Sequence, residues 1–386
     1  MDAIVELSTN WNGLFFGLFL LLAAAIALYA RAIPQGGTRW WLLAGLTAAL
    51  TGVGTLVNAG WGKTILIDAA ALVAVGLIFV DPNPQARRAA KVYLGMTAAA
   101  ILCLLAAEFL AETETPTLAG QKILVCLLLV GFALKLALLP LYFWLPGVAQ
   151  NAAPMSVAVI VSMVDIAALT ELVHFRQILP WVFSDYSGLW MAVALLSMFG
   201  GAFLALGQNN LRRMLAFSTI DDMGYLLLGV IAGTEIGLNG ALLGAAAHAI
   251  FKVILFGAVG AAEYRLGHAL TLADHGLAGR FPRSGAAFIA AALGMIGVPP
   301  LIGFAGRWRL YLSGLELGGL WLGALMALAT ILALLYYVRA IQRVWMGPSD
   351  GEPTTEAEPR LAGWVLVSLV VLALVLGLAP AWLLSL

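Results

Sequence analysis

Apolar runs long enough to cross a membrane follow one another along nearly the whole chain. A helix needs roughly 20 apolar residues to span a bilayer. Twelve candidates meet that need: residues 11–30, 40–60, 65–80, 91–111, 119–139, 154–175, 188–207, 214–233, 238–262, 284–305, 318–340 and 361–384. The third is short, and prolines interrupt the tenth. Composition agrees with this reading. Of the 386 residues, 62% are hydrophobic and 10% charged, whereas soluble domains carry about 25% charged residues. The chain is therefore expected to be all-α, a polytopic membrane helix bundle of about twelve transmembrane helices surrounded by the lipid bilayer. Its formal net charge is zero, which gives no reason to expect nucleic acid as a partner. Cys103 and Cys126 lie in apolar runs and read as packing residues, with no CxxC or disulfide framework. No basic segment precedes the first run, so it is taken as a helix that stays rather than a cleavable signal.

The basic residues test the count. Thirteen fall in loops on one side, among them Arg31, Arg87, Arg88, Arg212, Arg213, Arg265 and Arg343, and only three, Lys63, Lys122 and Arg176, fall on the other. Basic residues concentrate on the cytoplasmic side, so twelve spans with both termini outside are expected, in a bacterial or archaeal cytoplasmic membrane. The longest basic loop, 263–283, would face the cytoplasm, and the acidic, proline-containing stretch 345–360 reads as a connector.

Two of the spans look broken. The fifth runs into Pro140 and Pro146, and the tenth holds Pro299 and Pro300 amid Gly294, Gly297, Gly303 and Gly306. Proline removes a donor and clashes with the preceding turn, and backbone freed at membrane depth must be satisfied again by protein or water. One such break reads most simply as a proline kink. Two breaks, each within a turn or two of a cation, Lys135 or Arg307, point instead to a transport site.

Charges inside the apolar runs are few: Asp68, Lys135, Asp165, His248, Lys252 and Arg307, with Asp221 and Asp222 nearer a helix end. An ionised side chain at bilayer depth costs about 2.5 kcal/mol or more, and by default it marks an ion or proton path. Aspartate and lysine can share a dry site as an ion pair. Such a pair acts as a proton switch if it can open, because a carboxylate neighbour decides whether a buried lysine keeps its proton. His248 and Lys252 are four residues apart and share a helix face, so they could serve as successive relay stations. For His248 alone, an interhelical packing role is equally plausible. Arg307 differs, because a guanidinium is effectively always charged. It can pair, repel or orient water, or reach from a helix end to the interface.

These residues stand in phrases that resemble a known family. GFALKLALLPLYFWLPGVAQNAAPMSVAVIVSMV is similar to the lysine-helix signature of the antiporter-like, proton-translocating membrane subunits of respiratory complex I, Mrp-type cation/proton antiporters and membrane-bound hydrogenases. NNLRRMLAFSTIDDMGYLLLGV, GALLGAAAHAIFKVILFGAVG and GMIGVPPLIGFAGRWRLYLSGLELG resemble its following helices, in the family's order, across roughly residues 125–318. Upstream, ILIDAAALVAVGLIFVDPNPQARRAAKVYL resembles the segment with its buried glutamate.

The resemblance implies two inverted five-helix repeats with broken helices. They would cover 65–175 and 176–343, after two N-terminal helices in 1–64 and before a polar loop and last helix in 344–386. It implies protons moving between lysines along the membrane midplane. The family's glutamate–lysine pair falls on Asp68 and Lys135, its central lysine on Lys252 with His248 as the linking histidine, and its distal titratable group on Arg307. Relatives usually have about fourteen helices, so the chain is expected to be shortened at its N-terminus. Asp68 is one methylene shorter than glutamate, which predicts a weaker or longer pair with Lys135. Asp165 stands where many relatives carry lysine, and Asp222 where many carry histidine.

The chain is therefore expected to be a membrane subunit of a multi-subunit complex that translocates protons, or Na+ and protons. Partner membrane subunits and a peripheral catalytic module would supply the chemistry, and this chain would bring no metal or cofactor of its own. Three other readings stay open: a structural subunit with Arg307 closing the path, a subunit of a complex linked to carbon dioxide or bicarbonate, and an independent twelve-helix transporter.

Overall fold

A computed structural model describes residues 2–57, 60–112, 117–346 and 358–380, with the backbone alone for 2–10. In chain order the helices are α1 (Asp2–Ala32), α2 (Thr38–Leu56), α3 (Trp61–Phe79), α4 (Pro84–Ala111), α5 (Leu118–Lys135), α6 (Trp144–Asn151), α7 (Pro154–Val159) and α8 (Asp165–Ile178). They continue as α9 (Pro180–Ser184), α10 (Ser187–Leu206), α11 (Leu211–Ala232), α12 (Glu235–Leu266), α13 (Leu277–Arg280), α14 (Pro282–Ile296), α15 (Ile302–Ala340) and α16 (Arg360–Leu378). A π turn, Ile160–Val164, joins α7 to α8 into one span, Pro154–Ile178.

Local chemistry sets many of the boundaries. The Asn83, Thr117, Asn210 and Thr234 side chains accept from backbone N–H groups at the starts of α4, α5, α11 and α12, which otherwise lack partners. Gly233 and Gly267 take left-handed conformations just after α11 and α12, where a side chain would be strained.

Among the described residues, ten helices are long and apolar enough to cross a membrane, against the twelve expected. The difference has two sources. The helix α2 is not among the ten; three of its threonines, Thr47, Thr51 and Thr55, are buried and bonded back to its own carbonyls. The expected span 284–305 is divided between α14 and the start of α15, while 318–340 matches the second arm of α15, which the count of ten takes together with the first. Helix α14 has only 15 residues, and α15 is two arms that meet at Gly319, whose φ is 66° and ψ -160°; the chain doubles back there, because Tyr311 on the first arm is hydrogen-bonded to Thr330 on the second. The expected last span, 361–384, is helical to Leu378, and its end lies outside the described residues, as does most of 345–360.

Burial divides the bundle into a centre and a shell. The Pro154–Ile178 span and α11 are enclosed along their apolar lengths, and α12 is nearly so, while α4, α15 and α16 are mostly open. A helix that is apolar all round belongs in the interior, and in a membrane the open faces meet lipid. The α10–α11 contact is close because Gly201 and Gly224 carry no side chain: a Cβ on Gly201 would meet the Asp221 backbone nitrogen at 2.5 Å.

Both expected breaks are present. Helix α5 stops at Lys135, and the chain passes through Ala137 (φ 52°) and a cis Leu139–Pro140 bond before α6 begins. Helix α14 stops at Ile296, followed by Gly297 (φ 93°) and a cis Pro299–Pro300 bond before α15. In each break a side chain from beyond it satisfies a carbonyl left free. The Trp144 indole donates to Leu134 O at 2.9 Å, and Arg307 Nη2 donates to Met295 O at 2.9 Å.

Candidate functional site: a buried chain of charges

Lys135 is the last residue of α5, so its side chain leaves the helix at the break. Its Nζ lies 2.5 Å from Asp68 Oδ1 on α3 and 2.6 Å from Glu171 Oε2 on α8, and all three side chains are buried. The shorter aspartate therefore does not lengthen the pair, contrary to expectation; α3 and α5 bring the two groups into direct contact. Sequence reasoning missed Glu171. Its signal was an acid inside the sixth apolar run, the same signal that singled out Asp165. One ammonium between two carboxylates leaves the site one negative charge in excess when all are ionised. A proton held among the three groups removes that excess.

The α8 helix carries its two acids on different faces. Asp165 and Glu171 are six residues apart, which turns them about 120° from each other. Glu171 faces Lys135, whereas Asp165 lies within electrostatic reach of Lys252 on α12. Asp165 is almost fully buried, and its Oδ2 has no hydrogen-bond partner among the described residues.

His248 and Lys252 sit one turn apart on α12, as their spacing requires, yet they have separate partners. His248 Nδ1 is 2.8 Å from Asp222 Oδ2. Lys252 Nζ donates to Leu215 O at 2.9 Å and to Ser218 Oγ at 2.6 Å, both on α11. Tyr337 also donates to Ser218 Oγ, at 3.2 Å. Among the described residues Lys252 has no direct carboxylate partner, so its charge is held by oxygen dipoles and by acids at longer range.

Asp221 and Asp222 lie in the middle of α11, not near its end. The sequence reading started this helix at 214, but Asn210 caps it and draws the Leu211, Arg212, Arg213 stretch into the first turn. Asp222 is the junction of the second half. Its Oδ1 accepts from Arg307 Nη2 at 2.7 Å while Oδ2 meets His248. Asp221 points elsewhere and accepts from Tyr336 at 2.9 Å. Arg307 is a buried partner rather than an interfacial anchor, with its guanidinium 3.7 Å from the Tyr225 ring centroid. Arg309 is only partly buried and donates to Ala305 O, within its own helix.

The fold and this row of buried charges define a polytopic membrane protein of the antiporter-like type. The family model described as NADH:quinone oxidoreductase/Mrp antiporter, TM matches residues 65–333, and the chain belongs to that family. NADH-quinone oxidoreductase subunit N of Desulforudis audaxviator is 30% identical over 393 residues, an alignment covering 94% of this chain and 77% of the relative. Subunit N 2 of Acidobacterium capsulatum is 34% identical over 273 residues, covering 66% of this chain and 54% of that one. Among solved structures, a chain of the Mrp complex from Dietzia sp. DQ12-45-1b superposes with a TM-score of 0.87 at 22% identity, over 97% of this chain and 82% of that chain. A chain of respiratory complex I from Thermus thermophilus gives 0.83 at 25% identity, again over 97% and 82%.

Proposed function

We propose that this chain is a membrane subunit of a multi-subunit complex and moves protons along its buried charges. The observation that carries this reading is Lys135 held between Asp68 and Glu171 in a site closed to bulk water. Three titratable groups in hydrogen-bond contact can exchange a proton with little movement, and opening one contact changes which group holds it. Asp165, Lys252, His248 and Asp222 continue the row toward Arg307. Family membership and the subunit N relatives support the assignment to a complex.

The chain brings no cofactor. Driving chemistry, redox or otherwise, lies in a peripheral module, and sister membrane subunits contact the open faces of the bundle. The membrane is the cytoplasmic membrane, with the arginine-rich loops inside, both termini outside and the two broken helices in inverted repeats. A second reading, a structural subunit with a closed far end, is favoured by the partners that surround Arg307: Asp222, Met295 O and Tyr225.

Glu171→Gln separates the two. Its effect is read in the complex isolated from its native membrane and reconstituted in vesicles. A proton path through Lys135 predicts that translocation falls by about 100-fold or more, with the yield of intact complex retained. Unchanged translocation in this variant would remove Glu171 from the path, and lost yield with normal flux per complex would favour the structural reading.

A further inference from the structure

A small cavity lies where the second broken helix meets α11 and α12, lined by Asp222, Ala247, His248, Gly294, Gly303 and Arg307 among others. It offers about 20 Å³ of room for a water-sized sphere, and a cavity needs about 10–15 Å³ on that measure to hold one water. Two of its walls carry unsatisfied polar atoms. Arg307 Nη1 and His248 Nε2 are both buried and make no hydrogen bond among the described residues, although such groups in folded proteins almost always find a partner.

The two atoms have complementary needs. Arg307 is 7% exposed and places its Nη2 on Asp222 and Met295 O, which leaves Nη1 as a spare donor. His248 is fully buried and turns Nδ1 to Asp222 Oδ2. A carboxylate already bound to a guanidinium accepts there, so Nδ1 carries the proton, and Nε2 of the neutral ring is an acceptor. One water between them accepts from Arg307 and donates to His248, and so satisfies both.

We propose that this cavity holds a bound water shared by Arg307 Nη1 and His248 Nε2, and that this water, not the guanidinium, is the far proton station. The inference rests on the translocation reading above and changes what Arg307 does within it. The arginine keeps its charge through the cycle and fixes the position of a water. A proton arriving at the water from the aqueous side displaces one onto His248 Nε2, the ring's Nδ1 proton passes to Asp222 Oδ2, and no step requires arginine to deprotonate. In this arrangement a permanent cation at the end of the row does not close it.

The test combines solid-state nitrogen NMR with flux measurements on the complex in vesicles. With the His248 resonance assigned by its loss in His248→Asn, a cross-peak between His248 Nε2 and slowly exchanging water protons is expected in the unaltered protein. Ala247→Leu, which fills the cavity while leaving both the Arg307 and His248 side chains unaltered, should remove that cross-peak and slow proton translocation by about tenfold. Ala247→Ser leaves the cavity open and should keep the cross-peak. Absence of the cross-peak in the unaltered protein overturns the proposal, as does an Ala247→Leu variant that loses the peak and keeps its full rate. A Glu171→Gln complex with undiminished flux would count against the translocation reading, while the resonance would still decide whether the water is bound.

Discussion

The two broken helices are built alike and used differently. In each, the backbone leaves the helix at a residue of positive φ, passes a cis proline, and has a freed carbonyl satisfied by a side chain beyond the break. In the first, that side chain is Trp144, which carries no charge, so Lys135 remains available to two carboxylates. In the second, Arg307 does both tasks, satisfying Met295 O and pairing with Asp222. Separating the structural task from the charge leaves the first cation able to trade protons. Combining them in one residue favours a group that never loses its charge. That is a physical reason for arginine, with its several donors, at the second break.

The sharpest way to break this comparison is to make the first cation permanent. Lys135→Arg keeps the charge between Asp68 and Glu171 but removes a proton that can be released, so translocation should fall by about 100-fold with assembly retained. Flux from the reconstituted complex checks this, and a variant that still pumps would show that the first site needs only charge. Arg307→Met should act on stability more than on rate. It strips a buried carboxylate of its partner, which costs about 3–5 kcal/mol, visible as a large loss of intact complex in detergent. Arg307→Lys should recover much of that yield by restoring a charge opposite Asp222, while losing one of the two bonds Nη2 makes. Trp144→Phe should have the smallest effect. It leaves Leu134 O without its donor, a loss of about 1–3 kcal/mol, read as a lower midpoint of thermal unfolding with little change in flux per complex.

What could be read from the sequence was local or repeated. Apolar runs gave the spans, because a bilayer demands length and hydropathy from each helix alone. Pro140, Pro299 and Pro300 gave the breaks, because proline cannot continue a hydrogen-bonded turn. Partnerships were harder. His248 and Lys252 share a face as predicted, yet each bonds to α11 rather than forming a stack, a choice made by partners 26 residues earlier for His248 and 37 and 34 earlier for Lys252. Glu171 went unnoticed because nothing in its neighbourhood along the chain points to Lys135, which is 36 residues away. Asp221 and Asp222 are adjacent in sequence but point about 100° apart around their helix, so one meets Tyr336 and the other Arg307. Pairing across helices depends on how those helices are rotated, and periodicity does not report rotation between neighbours.

The π turn at Ile160–Val164 bears directly on that rotation. Such a turn holds about one residue more than the α-helical turn it replaces, so everything beyond it is swung by about 100°. Asp165 and Glu171 both lie beyond it. The added residue works as a phase setting for the central helix, aiming two carboxylates at two different lysines in one adjustment. Deleting a single residue from 160–164 would leave the span long enough to cross the membrane and would turn both acids off target together. The link between the two halves of the charge row thus depends on the count of residues in one turn, even where no residue in that turn is charged.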